Sequence, residues 1–194
     1  MTEFKSKRNR VYRSEDKVYK QFSDAAAARA EAEFLNMLSK KNVPAPALLR
    51  REGHVLVMEY IDGVTLPDLL CGTDEQAWPQ IAALITGWLQ IFYDAVCHTD
   101  TGEIRGDVNG RNFLFKAGKV WGVDFEEHIY GARETDAGRL LAYTATYDIQ
   151  DETRKTVLAN ALERQFVGVM GLDPLMVSAE REKEMQAISL RRKR

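Results

Sequence analysis

Cysteine and histidine are scarce in this chain, with two Cys and three His among 194 residues. Cys71 and Cys97 have neither the spacing of a metal site nor that of a disulfide framework. A disulfide-stapled secreted scaffold is thereby excluded, and a reducing, cytoplasmic setting is expected. His54, His98 and His128 stand apart, with no partners at ligand spacing, and take no role. Excess charge is missing as well: 27 Lys and Arg against 29 Asp and Glu leave a net charge of −2, so no global field recruits nucleic acid or membrane. A long apolar run is also absent. The best candidate, "IAALITGWLQIFY" from Ile81, is broken by Thr86 and Gln90, is too short to span a bilayer, and reads as a buried core helix. The basic start "MTEFKSKRNR" leads into no apolar segment of the secretory kind. What is present, 45% hydrophobic residues, suffices for a core in one domain or one domain of two small lobes.

The order of patterns along the chain gives an α+β layout. "RVYRSEDKVYKQF" reads as a hairpin turning at Ser14 to Asp16. Ser23 or Asp24 can cap the helix "AAAARAEAEFLNMLSKK", whose apolar stripe is Phe34, Leu35 and Leu38, and "NVPAP" ends it. "ALLRREGHVLVMEY" is two strands about a turn at Glu52 and Gly53. From Thr65 the pattern is helical: "TLPDLL", then the long apolar helix ending near Cys97, with Pro79 at its first turn or at a kink. "NFLFKAGKVWGVDF" is a hairpin turning at Ala117 and Gly118, and three helices follow, the last opened by Asp173 and Pro174. A small sheet lobe with one helix, residues 1–61, thus precedes a helical lobe, residues 62–194, that carries a hairpin at the junction.

One segment breaks the core-like pattern. "RGDVNGRNFLF", Arg105 to Phe115, crowds an acid, two Gly, two Asn and two Arg ahead of a strand, with Asp107 and Asn112 five positions apart. Phosphoryl transfer requires positioning and charge neutralisation at the γ-phosphate, and its kinase solution uses four parts in a fixed order. These are a strand Lys, a helix Glu, a loop with Asp and Asn, and an Asp-Phe pair after a strand. This chain supplies them as Lys20, Glu31, Asp107 with Asn112, and Asp124-Phe125. A carboxylate that holds the Lys20 stem straight lets its ammonium meet the α- and β-phosphates; Glu31 suits that task, with Glu33 as competitor. Asn112 and Asp124 offer the hard oxygens that Mg²⁺ takes, and Asp107 would orient or deprotonate the attacking hydroxyl. Taken singly, each has a plainer reading: Lys20 as a solvated strand lysine, Asp136 as a helix cap.

The set as a whole, from about Val11 to about Tyr143, resembles the protein-kinase-like superfamily. Within it the chain is similar to the small atypical branch of the KEOPS-complex kinase/ATPase, the RIO kinases and the lipopolysaccharide-core kinases. Their catalytic loops read His-Gly-Asp with Asn five positions on, and "RGDVNGRN" is similar with Arg105 in the His place. The resemblance implies a minimal bilobal kinase-like fold, ATP and Mg²⁺ as cofactors, and a nucleotide site between the lobes. Met58 would close the rear of the adenine pocket, the Glu59 carbonyl and the Ile61 N–H would meet the adenine edge, and Val11, Val18, Leu114 and Val123 would sandwich the ring. Asp136 would support the catalytic loop from below, and the basic end "SLRRKR" resembles the tail that bears on tRNA in the KEOPS branch.

Two departures set the alternatives. The phosphate-covering loop, glycine-rich in the superfamily so that backbone can approach phosphate, is here "KSKRNR". Glu126 stands where Gly usually follows Asp-Phe, and no Ala-Pro-Glu motif follows. The leading expectation is an atypical serine/threonine-kinase-like phosphotransferase or ATPase, with tRNA or a KEOPS-like assembly as partner. A nucleotide-binding pseudokinase, favoured by the Gly-free loop and by Arg105 in the His place, and a small-molecule kinase of the aminoglycoside or lipopolysaccharide type are the other two readings.

Overall fold

The computed structural model describes residues 2–4, 8–72, 75–96, 102–127, 129–149 and 151–193. Cys97, His98, His128 and Lys7 lie outside them. Its first unit is an antiparallel sheet of β1 (Thr2–Phe4), β2 (Arg10–Ser14), β3 (Lys17–Gln21), β4 (Leu48–Glu52) and β5 (Val55–Glu59), in the order β1-β2-β3-β5-β4. The hairpin β2–β3 turns through Glu15, which takes a left-handed φ of 57°. Strand β1 has no counterpart in the sequence reading, because three exposed residues carry no alternation to detect.

Helix α1 (Ala25–Lys40) packs on β4 and β5. Asp24 is its cap, accepting from the Ala26 and Ala27 N–H groups at 3.0 and 3.3 Å. The buried stripe includes Ala28, Glu31, Ala32, Leu35 and Leu38, so a carboxylate rides on an otherwise apolar helix face.

The second unit is mostly helical. It comprises β6 (Val64–Thr65), α2 (Leu66–Gly72), α3 (Trp78–Val96), β7 (Glu103–Ile104), β8 (Phe113–Lys116), β9 (Lys119–Gly122), β10 (Ile129–Tyr130), α4 (Arg133–Thr146), α5 (Glu152–Gly168) and α6 (Pro174–Arg192). Strands β8 and β9 form the expected hairpin, with Ala117 and Gly118 both at positive φ, and β6 adds to its edge. β7 pairs with β10. Pro79 falls in the first turn of α3, where its missing N–H costs nothing. Helices α4 and α6 touch backbone to backbone: a Cβ on Gly138 would lie 2.6 Å from the Arg181 nitrogen.

One expectation is corrected here. The sequence reading places Arg191 to Arg194 as a basic tail beyond the last helix, but α6 continues through Arg192. Good helix formers run to its end, and cations in the last turn suit the helix dipole. Arg191 bonds to Glu184, and Arg192 donates to the Thr146 carbonyl.

The two units meet at a shared core. Phe34 of α1, Trp88 and Phe92 of α3, Phe113 of β8, and Phe125 are all buried, with Phe125 lying 5.9 Å from Phe34 and 6.4 Å from Phe92 between ring centroids. Each such ring contributes about 1.5–3 kcal/mol by leaving water. The Pro44 carbonyl accepts from the Trp88 indole at 2.8 Å and from the Gly122 N–H at 3.0 Å, joining the stretch after α1 to the second unit.

Candidate active site

Lys20 is no solvated strand lysine. β3 is an inner strand between β2 and β5, and the side chain is only 5% exposed. Its Nζ lies 2.7 and 3.0 Å from the two Glu31 oxygens, 2.7 Å from Asp124 Oδ1 and 2.6 Å from Glu126 Oε1. Burial alone would push the ammonium down in pKa, but Glu31 and Asp124, together with bonds to Asp124 and Glu126, hold it above its ordinary value. Glu31 is the partner from α1, while Glu33 is exposed. Glu31 also accepts from the Phe125 N–H at 3.3 Å, so one buried carboxylate ties α1, β3 and the segment after β9 together.

The loop Arg105 to Asn112 is built on Asp136. This carboxylate is fully buried at the start of α4 and accepts from the Arg105 N–H at 2.8 Å, the Gly106 N–H at 2.9 Å and the Tyr93 hydroxyl at 2.9 Å. It is a platform for the loop, not a helix cap. Gly106 takes a φ of 74°, a conformation that glycine adopts without strain. The Asp107 carboxylate accepts from the Asn109 N–H at 3.2 Å, and the Asn112 amide donates to the Asp107 carbonyl at 3.3 Å. The Asn112 side-chain oxygen, the acceptor of the amide, takes no part in that bond. The Val123 N–H donates to the Asn112 carbonyl at 2.9 Å, which sets the loop beside the residues leading to Asp124.

Arg105, read from sequence as a departure, proves to be the central brace. Its side chain is completely buried, and one guanidinium nitrogen lies 2.5 Å from both the Val123 and the Asp124 carbonyls. Another donates to the Glu127 carbonyl at 3.3 Å, and the group stacks over the Phe125 ring at 4.5 Å. Asp124 sits at φ 62°, unusual for a residue with a side chain, and this clamp on its own carbonyl helps to hold it there.

The expected adenine residues lie on two elements, the first sheet with the stretch after it and the β8–β9 hairpin with the residue after it. Val11 lies opposite Lys20 and Val18 opposite Met58 in the ladder, so Val11, Val18, Lys20 and Met58 share one face of the sheet. Leu114 on β8 and Val123 after β9 are half-buried, as is Glu59, whereas Ile61 is buried. Between Glu59 and Gly63 the chain is pinned by Tyr60 N–H to Asp16 and by Gly63 N–H to Ile61, at 2.9 and 3.0 Å.

Several contributors escaped the sequence reading. Glu126 bonds Lys20 and accepts from the Asn9 amide, and Arg8 meets Glu127 at 2.5 Å. Tyr147 accepts from the Gly110 N–H at 2.7 Å, beneath the loop. As for metal, the half-exposed Asp124 carboxylate lies with those of Glu31 and Glu126, their oxygens within 4.8 Å of one another, and carboxylate and amide oxygens such as those of Asp124 and Asn112 are the hard donor type that Mg²⁺ takes.

A small antiparallel sheet with one helix, a helical second unit, and a Lys–Glu–Asp cluster over an acid-bearing loop define a protein of the kinase-like superfamily. The family model of the RIO domain matches residues 1–142, and the chain belongs to that family. No curated protein matches it in sequence. Among solved structures, aminoglycoside phosphotransferase APH(3'')-Id from Streptomyces rimosus aligns with a TM-score of 0.65 at 17% identity, covering 89% of this chain and 87% of that one. The gentamicin complex of APH(2")-IIa gives 0.57 at 14% identity, over 95% and 90%. A complex of APH(4)-Ia with AMP-PNP and hygromycin B gives 0.61 at 10% identity, over 93% and 82%. At such identities the likeness shows the fold, and with the RIO domain it supports a kinase-like phosphotransferase.

Proposed function

We propose that this chain is an ATP- and Mg²⁺-dependent phosphotransferase or ATPase of the atypical serine/threonine-kinase type. The observation that carries this reading is the contact of Lys20 with Glu31 and Asp124, together with the bond from the Val123 N–H to the Asn112 carbonyl that joins the Asp107–Asn112 loop to the segment bearing Asp124. The unit boundary is taken at residues 61 and 62, where the chain leaves the sheet. Lys20, steadied by Glu31, would meet the inner phosphates. The adenine would rest between Val11 and Val18 above and Leu114 and Val123 below, with Met58 behind it and the Glu59 and Ile61 backbone at its edge. Asn112 and Asp124 would hold Mg²⁺, which supplies neutralisation of phosphate charge when bound. Asp107 would take or orient the acceptor's proton, its loop fixed by Asp136 from below.

A small-molecule acceptor gains support from the likeness to enzymes whose structures carry gentamicin or hygromycin B. A tRNA or KEOPS-like partner rests on the basic C-terminus, but Arg191 and Arg192 are engaged within the protein, which leaves exposed Lys193 as the described remainder of that patch. A cytoplasmic setting rests on cysteine usage alone.

The test is incubation with γ-labelled ATP and Mg²⁺, alone, with tRNA and with an aminoglycoside, scoring released phosphate separately from label on protein, RNA or drug. Turnover in the wild type should fall at least a hundredfold, roughly, in folded Asp124→Ala. Near wild-type turnover in that variant would sink the site assignment, and no turnover with nucleotide still bound would favour the pseudokinase reading.

A further inference from the structure

The cations that face the nucleotide cleft are already matched by carboxylates of the chain itself. An ammonium has three N–H donors, and those of Lys20 meet three carboxylates: Glu31, Asp124 and Glu126. The two residues that lead from the covering loop into β2 are occupied from the same side. The Asn9 amide donates to Glu126, and the Arg8 guanidinium meets Glu127 at 2.5 Å. Consecutive acids directly after Asp124-Phe125 therefore bridge the cleft from its floor to its roof.

Not all three carboxylates on Lys20 are equivalent. Glu31 has a side chain 3% exposed and also accepts from the Phe125 N–H, so it cannot swing away without stranding a buried backbone donor. The Asp124 backbone is clamped by Arg105, and its carboxylate is one that the reading above gives to Mg²⁺, so it stays at the site when nucleotide arrives. Glu126 is different: among the described residues its carboxylate meets only the side chains of Lys20 and Asn9. A phosphate oxygen arriving at Lys20 needs a donor, and Glu126 is the anion that can yield one.

We propose that Glu126, assisted by Glu127, is an internal anion that occupies the side chains that would meet phosphate, Lys20 and Arg8, and must be displaced by nucleotide, so that it sets nucleotide affinity. The inference rests on the nucleotide-site reading above. It gives a physical task to the acid that stands where glycine is usual. Glu126 is the stronger half of the latch because its partner is buried. The Arg8–Glu127 pair lies in solvent, where ion pairs contribute little.

The apparent affinity of a site that is open only part of the time is reduced by the open fraction; a latch closed nine times in ten, for illustration, weakens binding about tenfold. Calorimetric titration of the wild type and of Glu126→Gln, with ATP and with adenosine in EDTA, tests this without interference from metal. The variant should bind ATP about tenfold tighter, while adenosine, which has no phosphate, binds both proteins equally. ATP binding seen only in the variant would support the latch still more strongly. Equal or weaker ATP binding by the variant overturns the latch and leaves the nucleotide site standing. Absence of ATP and adenosine binding in both proteins overturns the nucleotide reading and the latch with it. Glu126→Gly, which removes the acid altogether, is the second variant should the Gln protein not fold, and the same outcomes apply.

Discussion

At the floor of the proposed nucleotide site, Asp136 and Arg105 are fully buried and nearly all their bonds run to backbone groups; at its roof, Arg8 and Asn9 meet Glu127 and Glu126 side chain to side chain. The contrast follows from dielectric surroundings. A buried charge that satisfies backbone donors or acceptors cannot be replaced by water, so its loss strands every partner. An exposed ion pair trades with water and salt at little cost. The floor is therefore fixed geometry, and the roof is adjustable.

The largest expected effect is on the floor. Arg105→Met removes the cation beneath Phe125 and leaves carbonyls of Val123, Asp124 and Glu127 without their donor, which should lower stability by about 3–5 kcal/mol in urea unfolding. A loss under about 1 kcal/mol would mean that the brace is not what holds the segment. Asp136→Asn keeps the shape but puts an amide nitrogen where an oxygen accepts from N–H or O–H, and a loss of about 1–3 kcal/mol is expected from the same assay. Tyr93→Phe in that background should then cost less than it does alone, since both changes act on one bonded group. The smallest effect belongs to the roof: Arg8→Ala should change stability by less than about 1 kcal/mol, and that difference should vanish in molar salt. A salt-insensitive loss as large as that of Asp136→Asn would erase the distinction between floor and roof.

Much of this molecule could be read from the order of its residues. Asp24 and Asp173 sit at helix starts as capping chemistry requires, and the Ala117–Gly118 turn follows from residue type. Lys20, Glu31, Asp107, Asn112 and Asp124 were found because a shared order of strand, helix, loop and strand selects them, and the structure brings Lys20, Glu31 and Asp124 into direct contact. The parts that were not legible act across long separations with no periodic trace. From sequence Arg105 reads as a weakness, because the pattern shows a missing His and not the carbonyls 18 and 19 residues away that its guanidinium reaches. Glu126 reads as a lost glycine, since nothing local reveals Asn9, 117 positions upstream, as its partner. Strands of two residues, such as β6, β7 and β10, are too short for alternation to register.

The Pro44 carbonyl is a single point of register between the two units. Two donors from the second unit, the Trp88 indole and the Gly122 amide, converge on one oxygen of the stretch that follows α1, and a Cβ at Gly122 would collide with the Trp88 ring at 2.2 Å. One atom thereby indexes α3 and β9 to the same place on the stretch after α1, and the absence of a side chain at Gly122 is what lets all three come together there.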